Sequence, residues 1–394
     1  MSCPYSVLVL PRGNAVREAE NFSGTRRLQA QRSAPRGATQ TSTSFETVFP
    51  ACKVIFGAGA SGRAGAEAAA LGGHRVLFVC SPSLSASPQA ASIRAGLGDR
   101  LVAELNDVRA HVPSDLVDTS VQLAEARTID LVVAVGGGSA IGLGKAVCYR
   151  TGVPQIAVPT TYAGSEMTPV LGITDVAEGK KRTVSDPNIT PRVVLYDPEA
   201  TVALPPATTA STGINALAHA VEAVYSPTAA PFVAPVALEA VSAIGLALPR
   251  CVQDGRDLVA RTDMLRAAFL AGFALAHAGM GVHHGLCHSL GGRFGIPHGI
   301  ANAVVLPHAM RYNADAVAPE FARLAGALGA ASAPDAVFDL IASLGLPQRL
   351  RDVGLGEDDL AAVAEDAMGS QAVAGNPKPI RTPDQLLEIL RSAW

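Results

Sequence analysis

The chain has 394 residues, of which 48% are hydrophobic and only 16% are charged, a composition that suits two globular domains with large cores. The formal net charge of −3 argues against a nucleic-acid partner, and no run of about 18 apolar residues without a charge predicts a membrane-spanning helix. The six cysteines include no C-x-x-C pair, so we expect a reducing cytoplasm and neither a disulfide framework nor a thiolate zinc site.

The first 45 residues differ in composition from the rest of the chain. They contain six arginines, no lysine and many Ser, Thr and Gln residues, with SVLVLP as their apolar patch. This patch is too short for the core of a signal peptide. We expect a disordered extension over residues 1–45, or translation from an upstream start codon chosen in error; an organelle-targeting peptide is the alternative.

Short apolar runs alternate with helical stretches from residue 46 to residue 203. The runs VIF, RVLFVC, LVVAV, QIAV and VVLY are predicted to be strands, and DLVDTSVQLAEARTID has helical spacing. Strands of four to six apolar residues that alternate with helices are typical of a parallel sheet covered on both faces. The sequence therefore predicts a Rossmann-like α/β domain over residues 46–203.

The pattern becomes helical from residue 204 to residue 394. Apolar residues recur there at helical spacing, and no convincing strand is found. We predict an all-helical C-terminal domain over this range, with no internal repeat. Its predicted helices are 208–225, 231–250, 257–277, 280–292, 298–313, 317–328, 334–344, 357–368 and 383–392.

The stretch AVGGGSAIGLGKAV places Gly136, Gly137 and Gly138 between a buried strand and a helix. Glycine allows positive φ and close backbone approach, and a helix N-terminus attracts an anion. With Ser139, these residues predict a phosphate site, and a plain tight turn is the alternative. The stretch matches neither G-x-G-x-x-G nor G-x-x-x-x-G-K-[ST].

Two more segments follow predicted strands at the same edge of the sheet. One is FGAGASG, and the other is VPTTYAGSEMTPV, which is dense in polar residues. Sheets of this class bind ligands outside the carboxyl ends of their strands. Their candidate cofactor-binding residues are Gly57, Gly59, Thr160, Thr161 and Ser165.

Four of the nine histidines lie within residues 281–299. Asn215 and His219 are spaced i, i+4 on one predicted helix, and His284 and His288 repeat that spacing on another. His298 follows a turn rich in Gly and Pro. Because such pairs suit a single ion, the spacing alone leaves a metal site open. We expect surface or structural roles for the other histidines of this region, which are His277, His283 and His308.

Four motifs, taken in order, resemble the iron-containing (group III) alcohol dehydrogenase family. They are GGGSxxxxxK, PTTYAGSEMTPV, TGINALAHAVEA and HHGLCHSLGGRFGIPHGIANAVVLPH. The resemblance runs from about Phe45 to near the C-terminus, and within the family it is strongest to the maleylacetate reductases. It implies an NAD-binding α/β domain, a helical domain and an active site between them.

In metal-dependent members of this family four residues hold the ion, and by motif they correspond to Asn215, His219, His284 and His298. The first is normally aspartate, so a neutral amide replaces the only charged ligand. An amide oxygen is a poor ligand for divalent iron or zinc, although three histidines alone can still bind zinc. We expect no obligatory metal; a metal-dependent alcohol or polyol dehydrogenase is the alternative.

The cofactor motif also departs from the family pattern. The family's GGGSxxDxxK has Gly142 in place of its acid here, and Ser81 stands where an acid would bind the ribose 2′-hydroxyl. The resemblance implies bound NADH or NADPH, with Lys145 of the motif either binding phosphate or serving the structure. Because position 81 is serine, no carboxylate is present there to repel the 2′-phosphate of NADPH.

The resemblance implies reduction of the carbon–carbon double bond of maleylacetate to 3-oxoadipate, in the degradation of aromatic compounds. One imidazole would stabilise the enolate while another imidazole, or Tyr162, donates a proton. Helix packing is an equal alternative for His288. The candidate catalytic residues are His284, His298, His219, Tyr162, Asn215 and His288.

The same resemblance implies a small dicarboxylate substrate, while the net charge and the lack of a long apolar run predict neither a nucleic-acid partner nor a membrane. The Ala-rich surface favours a homodimer. Two other hypotheses for the function are a zinc enzyme similar to dehydroquinate synthase and a non-catalytic binding protein. The first needs more basic phosphate-binding residues than the chain offers, and the second leaves the glycine turns unexplained.

Overall fold

The computed structural model describes residues 47–177 and 180–394, so the prediction for residues 1–45 lies outside the described residues. Its strands are β1 (Lys53–Phe56), β2 (Val76–Cys80), β3 (Leu101–Leu105), β4 (Leu131–Gly136), β5 (Gln155–Pro159), β6 (Val170–Asp175), β7 (Lys180–Ser185) and β8 (Val193–Tyr196). Six of them form a parallel sheet in the order β1-β8-β5-β4-β2-β3. Strands β6 and β7 form a separate antiparallel hairpin.

Helices cover the sheet and then make up the C-terminal half. Those that follow the sheet strands are α1 (Ala64–Ala70), α2 (Pro88–Leu97), α3 (Ser114–Ala126) and α4 (Gly138–Thr151). The C-terminal helices are α5 (Pro206–Tyr225), α6 (Val233–Gln253), α7 (Leu258–Ala276), α8 (Val282–Phe294), α9 (His298–Asn313), α10 (Ala318–Ala327), α11 (Ala333–Ser343), α12 (Leu360–Ala367), α13 (Gln371–Ala374) and α14 (Pro383–Ser392).

Alternation along the buried strands explains why both faces of the sheet are covered. In β2, Leu77 and Val79 pack into one hydrophobic cluster, whereas Val76 and Phe78 pack into the cluster on the opposite face. The register places Phe78 beside Val133 of β4. A strand that is buried on both faces has a continuous run of apolar residues. The α/β class predicted from those runs is confirmed.

The predicted strands are present, but three further strands were not predicted. Edge strand β3 is half-buried and carries the exposed Glu104, so it lacks the continuous apolar run of its neighbours. The β6–β7 hairpin is made largely of polar or half-buried residues. All nine predicted helices occur, and 298–313 and 383–392 match α9 and α14 in both bounds.

Helix α6 is long and apolar enough to cross a membrane by length and composition alone. In the fold it packs against α5 and α7, and its Val241, Ile244 and Leu248 lie in the core. The last strand ends at Tyr196 and the first long C-terminal helix begins at Pro206. All described residues belong to one compact unit, so the division into two domains stays a prediction.

Candidate active site

The turn between β4 and α4 is built around glycines because side chains have no room there. Gly136 has φ of +147°, and a Cβ on it would lie 2.1 Å from Ser81 Oγ. A Cβ on Gly137 would lie 3.0 Å from Thr161 Cγ2. Helix α4 starts with no side-chain cap, so its first turn offers N–H groups and positive potential to an anion. The turn therefore has the form of a phosphate site.

Lys145 of α4 anchors the loop that follows β5. The side chain is fully buried, and its ammonium group donates hydrogen bonds to the carbonyl oxygens of Ser165, Thr168 and Val170. Burial lowers the pKa of Lys145 to about 7. Of the two roles expected for Lys145, this corrects its assignment to the cofactor phosphate and favours the structural role, because its donors are engaged by backbone carbonyls.

The turn at Gly57 and Gly59 is closed by a carboxylate of the protein itself. Asp197 accepts hydrogen bonds from the backbone N–H groups of Gly59 and Ser61 at 3.1 Å each. The turn follows β1, which is separated from β4 by two strands of the sheet. The structure therefore does not bring Gly57 and Gly59 to the cavity described below.

Tyr162 is buried away from that cavity. Its hydroxyl accepts a hydrogen bond of 2.9 Å from Nη1 of Arg261, and the same nitrogen donates to Thr209 Oγ1. Both Tyr162 and Arg261 are 0% exposed. Burial raises the pKa of Tyr162 to about 12. This corrects the assignment of Tyr162 as a proton donor: it ties the loop after β5 to α5 and α7.

A cavity of about 920 Å³ lies where this sheet edge meets the C-terminal helices. Its described lining contains no Asp, Glu, Lys or Arg. Ser81, Thr160 and Thr161 adjoin the glycine turn without lining the cavity. Eight of the predicted site residues do line it: Gly138, Ser139, Ser165, Asn215, His219, His284, His288 and His298.

Helices α5, α8 and α9 bring together four of the histidines that line the cavity. The rings of His219 and His284 stack with centroids 4.8 Å apart, and those of His288 and His298 stack at 5.7 Å. The His284 and His298 centroids are 5.9 Å apart. Burial lowers the pKa of His219 and of His284 well below the usual value, and the neighbouring histidines lower both further.

Three buried polar atoms at this cluster have no hydrogen-bond partner among the described residues. They are Asn215 Oδ1, His219 Nδ1 and His284 Nε2. The Asn215 amide is oriented by its nitrogen, which lies 3.4 Å from the carbonyl oxygen of Ala163. Buried polar groups are nearly always satisfied, so these atoms indicate a site for a polar ligand or water.

The residues at the family's metal-ligand positions combine one neutral amide with three histidines. Asn215 supplies a neutral amide oxygen where the family has a carboxylate. Ligand atoms on one such ion lie within about 4.2 Å of each other, since each bond is about 2.1 Å. Within the described ranges, His219, His284 and His298 are not found as a set with ring nitrogens all within 4.8 Å.

The sequence did not predict that the loop after β3 also lines the cavity. His111 and Val112 have φ of 63° and 50°, a conformation that residues other than glycine rarely adopt. Thr174 of β6 holds them, because its Oγ1 donates to the His111 carbonyl and its N–H donates to the Val112 carbonyl. Strain of this kind is concentrated at ligand sites.

Two family models match the chain. Residues 50–198 match the model for iron-containing alcohol dehydrogenase, and residues 209–394 match that for the C-terminal part of the Fe-containing alcohol dehydrogenase family.

Named relatives resemble nearly the whole chain. The maleylacetate reductase of Burkholderia cepacia is 41% identical over 350 residues, which cover 89% of this chain and 97% of the relative. Maleylacetate reductase 1 of Rhodococcus opacus is 43% identical over 355 residues, with the same two coverages. The crystal structure of maleylacetate reductase from Agrobacterium tumefaciens superposes with a TM-score of 0.82 at 38% identity, covering 89% of this chain and 98% of that one.

Proposed function

The chain belongs to the iron-containing alcohol dehydrogenase family, and we propose that it reduces the carbon–carbon double bond of maleylacetate to 3-oxoadipate with NADH or NADPH. The observation that carries the proposal is the cavity: its described lining holds five histidines and no acidic side chain, beside an uncapped helix N-terminus. Such a lining accepts a dianionic substrate without like-charge repulsion.

The cofactor fits at the β4–α4 turn. Gly138 and Ser139 open the uncapped first turn of α4 to a pyrophosphate and also line the cavity. When bound, the nicotinamide supplies the hydride. Ser81 adjoins the turn without a carboxylate, which supports use of NADPH as well as NADH.

The cavity histidines suit the electron flow of this reduction. The hydride bonds to one alkene carbon, the π electrons shift toward the conjugated ketone, and the ketone oxygen becomes an enolate. His298 stands at the start of α9, which has no side-chain cap, so its imidazole and the helix N-terminus stabilise negative charge. His284 then donates a proton to the carbon next to the ketone, which restores the carbonyl.

Binding of the substrate also favours this proton transfer. In the free protein, burial lowers the pKa of His284, which favours the neutral ring. The two carboxylates of a bound maleylacetate act in the opposite direction, because a nearby negative charge favours the imidazolium. The proposal includes no metal-assisted step, since the neutral Asn215 and the spacing of the rings do not fit an ion.

Steady-state kinetics with and without EDTA tests the proposal. We expect purified protein to oxidise NADH when maleylacetate is added, to hold substoichiometric iron and zinc, and to keep its kcat after EDTA treatment. Asn215→Asp restores the family's carboxylate, so we expect zinc to bind this variant at least about 10-fold more tightly than wild type. Metal content by mass spectrometry and zinc titration read this out independently of turnover.

A different pair of results would favour a metal-dependent alcohol or polyol dehydrogenase. Stoichiometric iron or zinc in the wild-type protein, with NAD-linked oxidation of an alcohol or a diol that EDTA abolishes, would overturn the metal-free proposal. Turnover of maleylacetate that itself requires the metal would overturn only the part that concerns the metal.

The Tyr162→Phe variant tests the corrected role of that residue. Because the hydroxyl binds Arg261 and lies outside the cavity, we expect kcat within about 2-fold of wild type and a loss of roughly 1 kcal/mol in the free energy of unfolding. Urea unfolding and steady-state kinetics measure the two quantities. A 100-fold fall in kcat with unchanged stability would restore Tyr162 as a proton donor.

We also propose that the protein works as a cytoplasmic homodimer without membrane or nucleic-acid partners. Val48 and Phe49, which precede the edge strand β1 in the chain, are 64% and 60% exposed, which supports burial of this segment by a second copy. The cysteines of the described part are free thiols, which supports a reducing compartment: Cys52, Cys80, Cys148, Cys251 and Cys287.

A further inference from the structure

A buried carboxylate, that of Glu222, adjoins the histidine cluster. Glu222 lies on α5, is 1% exposed, and does not line the cavity. Its Oε2 lies 2.6 Å from Nδ1 of His284, and its Oε1 accepts a 3.1 Å hydrogen bond from the backbone N–H of His283. Burial raises the pKa of Glu222, an effect opposed by His283 and by backbone N–H groups at the start of α8.

Glu222 thus caps α8, whose N-terminus has no cap from its own N-cap residue, Gly281. A Cβ on Gly281 would lie 2.8 Å from Glu222 Oε1. Glycine at this position therefore lets the start of α8 approach the carboxylate closely. The positive end of the α8 dipole and these N–H donors stabilise the ionised form of the carboxyl group.

The hydrogen bonds around His283 decide which nitrogen of His284 carries its proton. His283 Nε2 lies 3.2 Å from the carbonyl oxygen of Asn302, which only accepts, so the neutral His283 ring has its proton there. His283 Nδ1 is then an acceptor, and it lies 3.2 Å from His284 Nδ1. The proton between the two rings therefore belongs to His284 Nδ1, which also donates to Glu222.

This cluster is a hydrogen-bonded network rather than a cation site, although Glu222, His283 and His284 have ligand atoms within 4.8 Å of one another. Two ligands of one tetrahedral zinc ion lie about 3.3 Å apart, since each bond is near 2.0–2.1 Å. Glu222 Oε2 and His284 Nδ1 are 2.6 Å apart, which is hydrogen-bond length.

We propose that Glu222 is a positioning residue, which fixes the His284 ring with its proton on Nδ1 and its Nε2 free for the substrate. His284 lines the cavity, and Nε2 is its unpartnered atom. Any proton that His284 exchanges with the substrate is then carried on Nε2, while the carboxylate holds the other side of the ring. The proposal rests on the proposed function for the identity of that substrate.

Glu222→Gln tests the proposal with the smallest change in shape. The glutamine amide has only one oxygen. If that oxygen accepts the hydrogen bond from the His283 backbone N–H, the NH₂ group faces His284 Nδ1, and Nδ1 must then act as the acceptor. We expect the His284 proton to move to Nε2 and kcat to fall about 10- to 100-fold, while the KM for NADH stays within about 2-fold. Glu222→Asp keeps a carboxylate and should recover part of kcat.

Long-range ¹H–¹⁵N spectra of protein labelled with ¹⁵N-histidine read the tautomer without any substrate, with the His284 signals assigned by their loss in His284→Gln. Glu67→Gln is the matched control, since Glu67 is also buried but pairs with Lys53 and Arg63 of the α/β part. We expect wild-type kcat and unchanged His284 shifts in this control.

An unchanged His284 tautomer in Glu222→Gln, or a kcat within about 2-fold of wild type, would overturn the proposal. If the spectra show the expected tautomer change while maleylacetate is not turned over by the wild-type protein, then the proposed substrate fails and the positioning role stands. If Glu222→Gln does not fold, the wild-type spectra still test the proposal: a His284 ring with its proton on Nε2 in the wild-type protein would overturn it.

Discussion

Replacing His284 with glutamine is expected to lower kcat for maleylacetate about 100- to 1,000-fold. The variant loses the Nε2 atom, which is buried at the cavity with no protein partner, and with it the proposed proton donor. The glutamine amide can still donate to Glu222, so the carboxylate keeps a partner. We therefore expect the KM for NADH to change far less than kcat, as measured by NADH oxidation in the steady state.

His308→Gln is the matched control for this prediction. His308 lies on α9 outside the cavity, and its Nδ1 is 3.0 Å from Ser392 Oγ, so the variant also exchanges a hydrogen-bonded imidazole for an amide. We expect its kcat to equal that of wild type. A His284→Gln enzyme with more than about one tenth of wild-type kcat would assign the proton transfer to another group.

The sheet could be predicted from the sequence where burial on both faces leaves a clear pattern. Strands β2 and β4 are continuous apolar runs because every side chain in them packs against a helix or a neighbouring strand. The β6–β7 hairpin leaves no such pattern, since much of it is exposed or half-buried. It nevertheless lines the cavity through residues such as Val170 and Thr183.

The histidines of the site could be predicted because their signal is local. The i, i+4 spacing of Asn215 and His219 fixes one face of α5 whatever the rest of the fold does, and both residues line the cavity. Tyr162 was misassigned because the group that determines its role, Arg261, lies 99 residues further along the chain. No spacing rule relates two such residues.

Glu222 was missed for the same reason, since His284 lies 62 residues away. One local signal could have found it. Glu222 stands within the apolar stretch ALAHAVEAVY, and no lysine or arginine occurs between Arg192 and Arg250. An acidic residue on a buried helix face without a basic neighbour needs donors from elsewhere in the fold, and a functional network is one way to supply them.

Alanine at Gly138 is expected to weaken NADH binding at least about 10-fold without changing thermal stability. Gly138 has no positive φ, and an added Cβ would meet its nearest neighbour, Ala163, at an ordinary 3.6 Å. The protein can therefore accept the methyl group. Because Gly138 lines the cavity at the first turn of α4, the methyl group would occupy space that the pyrophosphate needs.

Variants of two other glycines distinguish the effect of backbone strain from the effect of lost space at the pyrophosphate site. Gly136→Ala should cost about 1–3 kcal/mol of stability, because φ is +147° and the new Cβ would lie 2.8 Å from Ala140 Cβ. Gly152→Ala, at the far end of α4 with φ of +78° and open space around it, should lose stability but keep wild-type NADH affinity. Fluorescence titration with NADH measures affinity, and thermal melts measure stability. If Gly138→Ala binds NADH with wild-type affinity, the pyrophosphate does not bind at this turn.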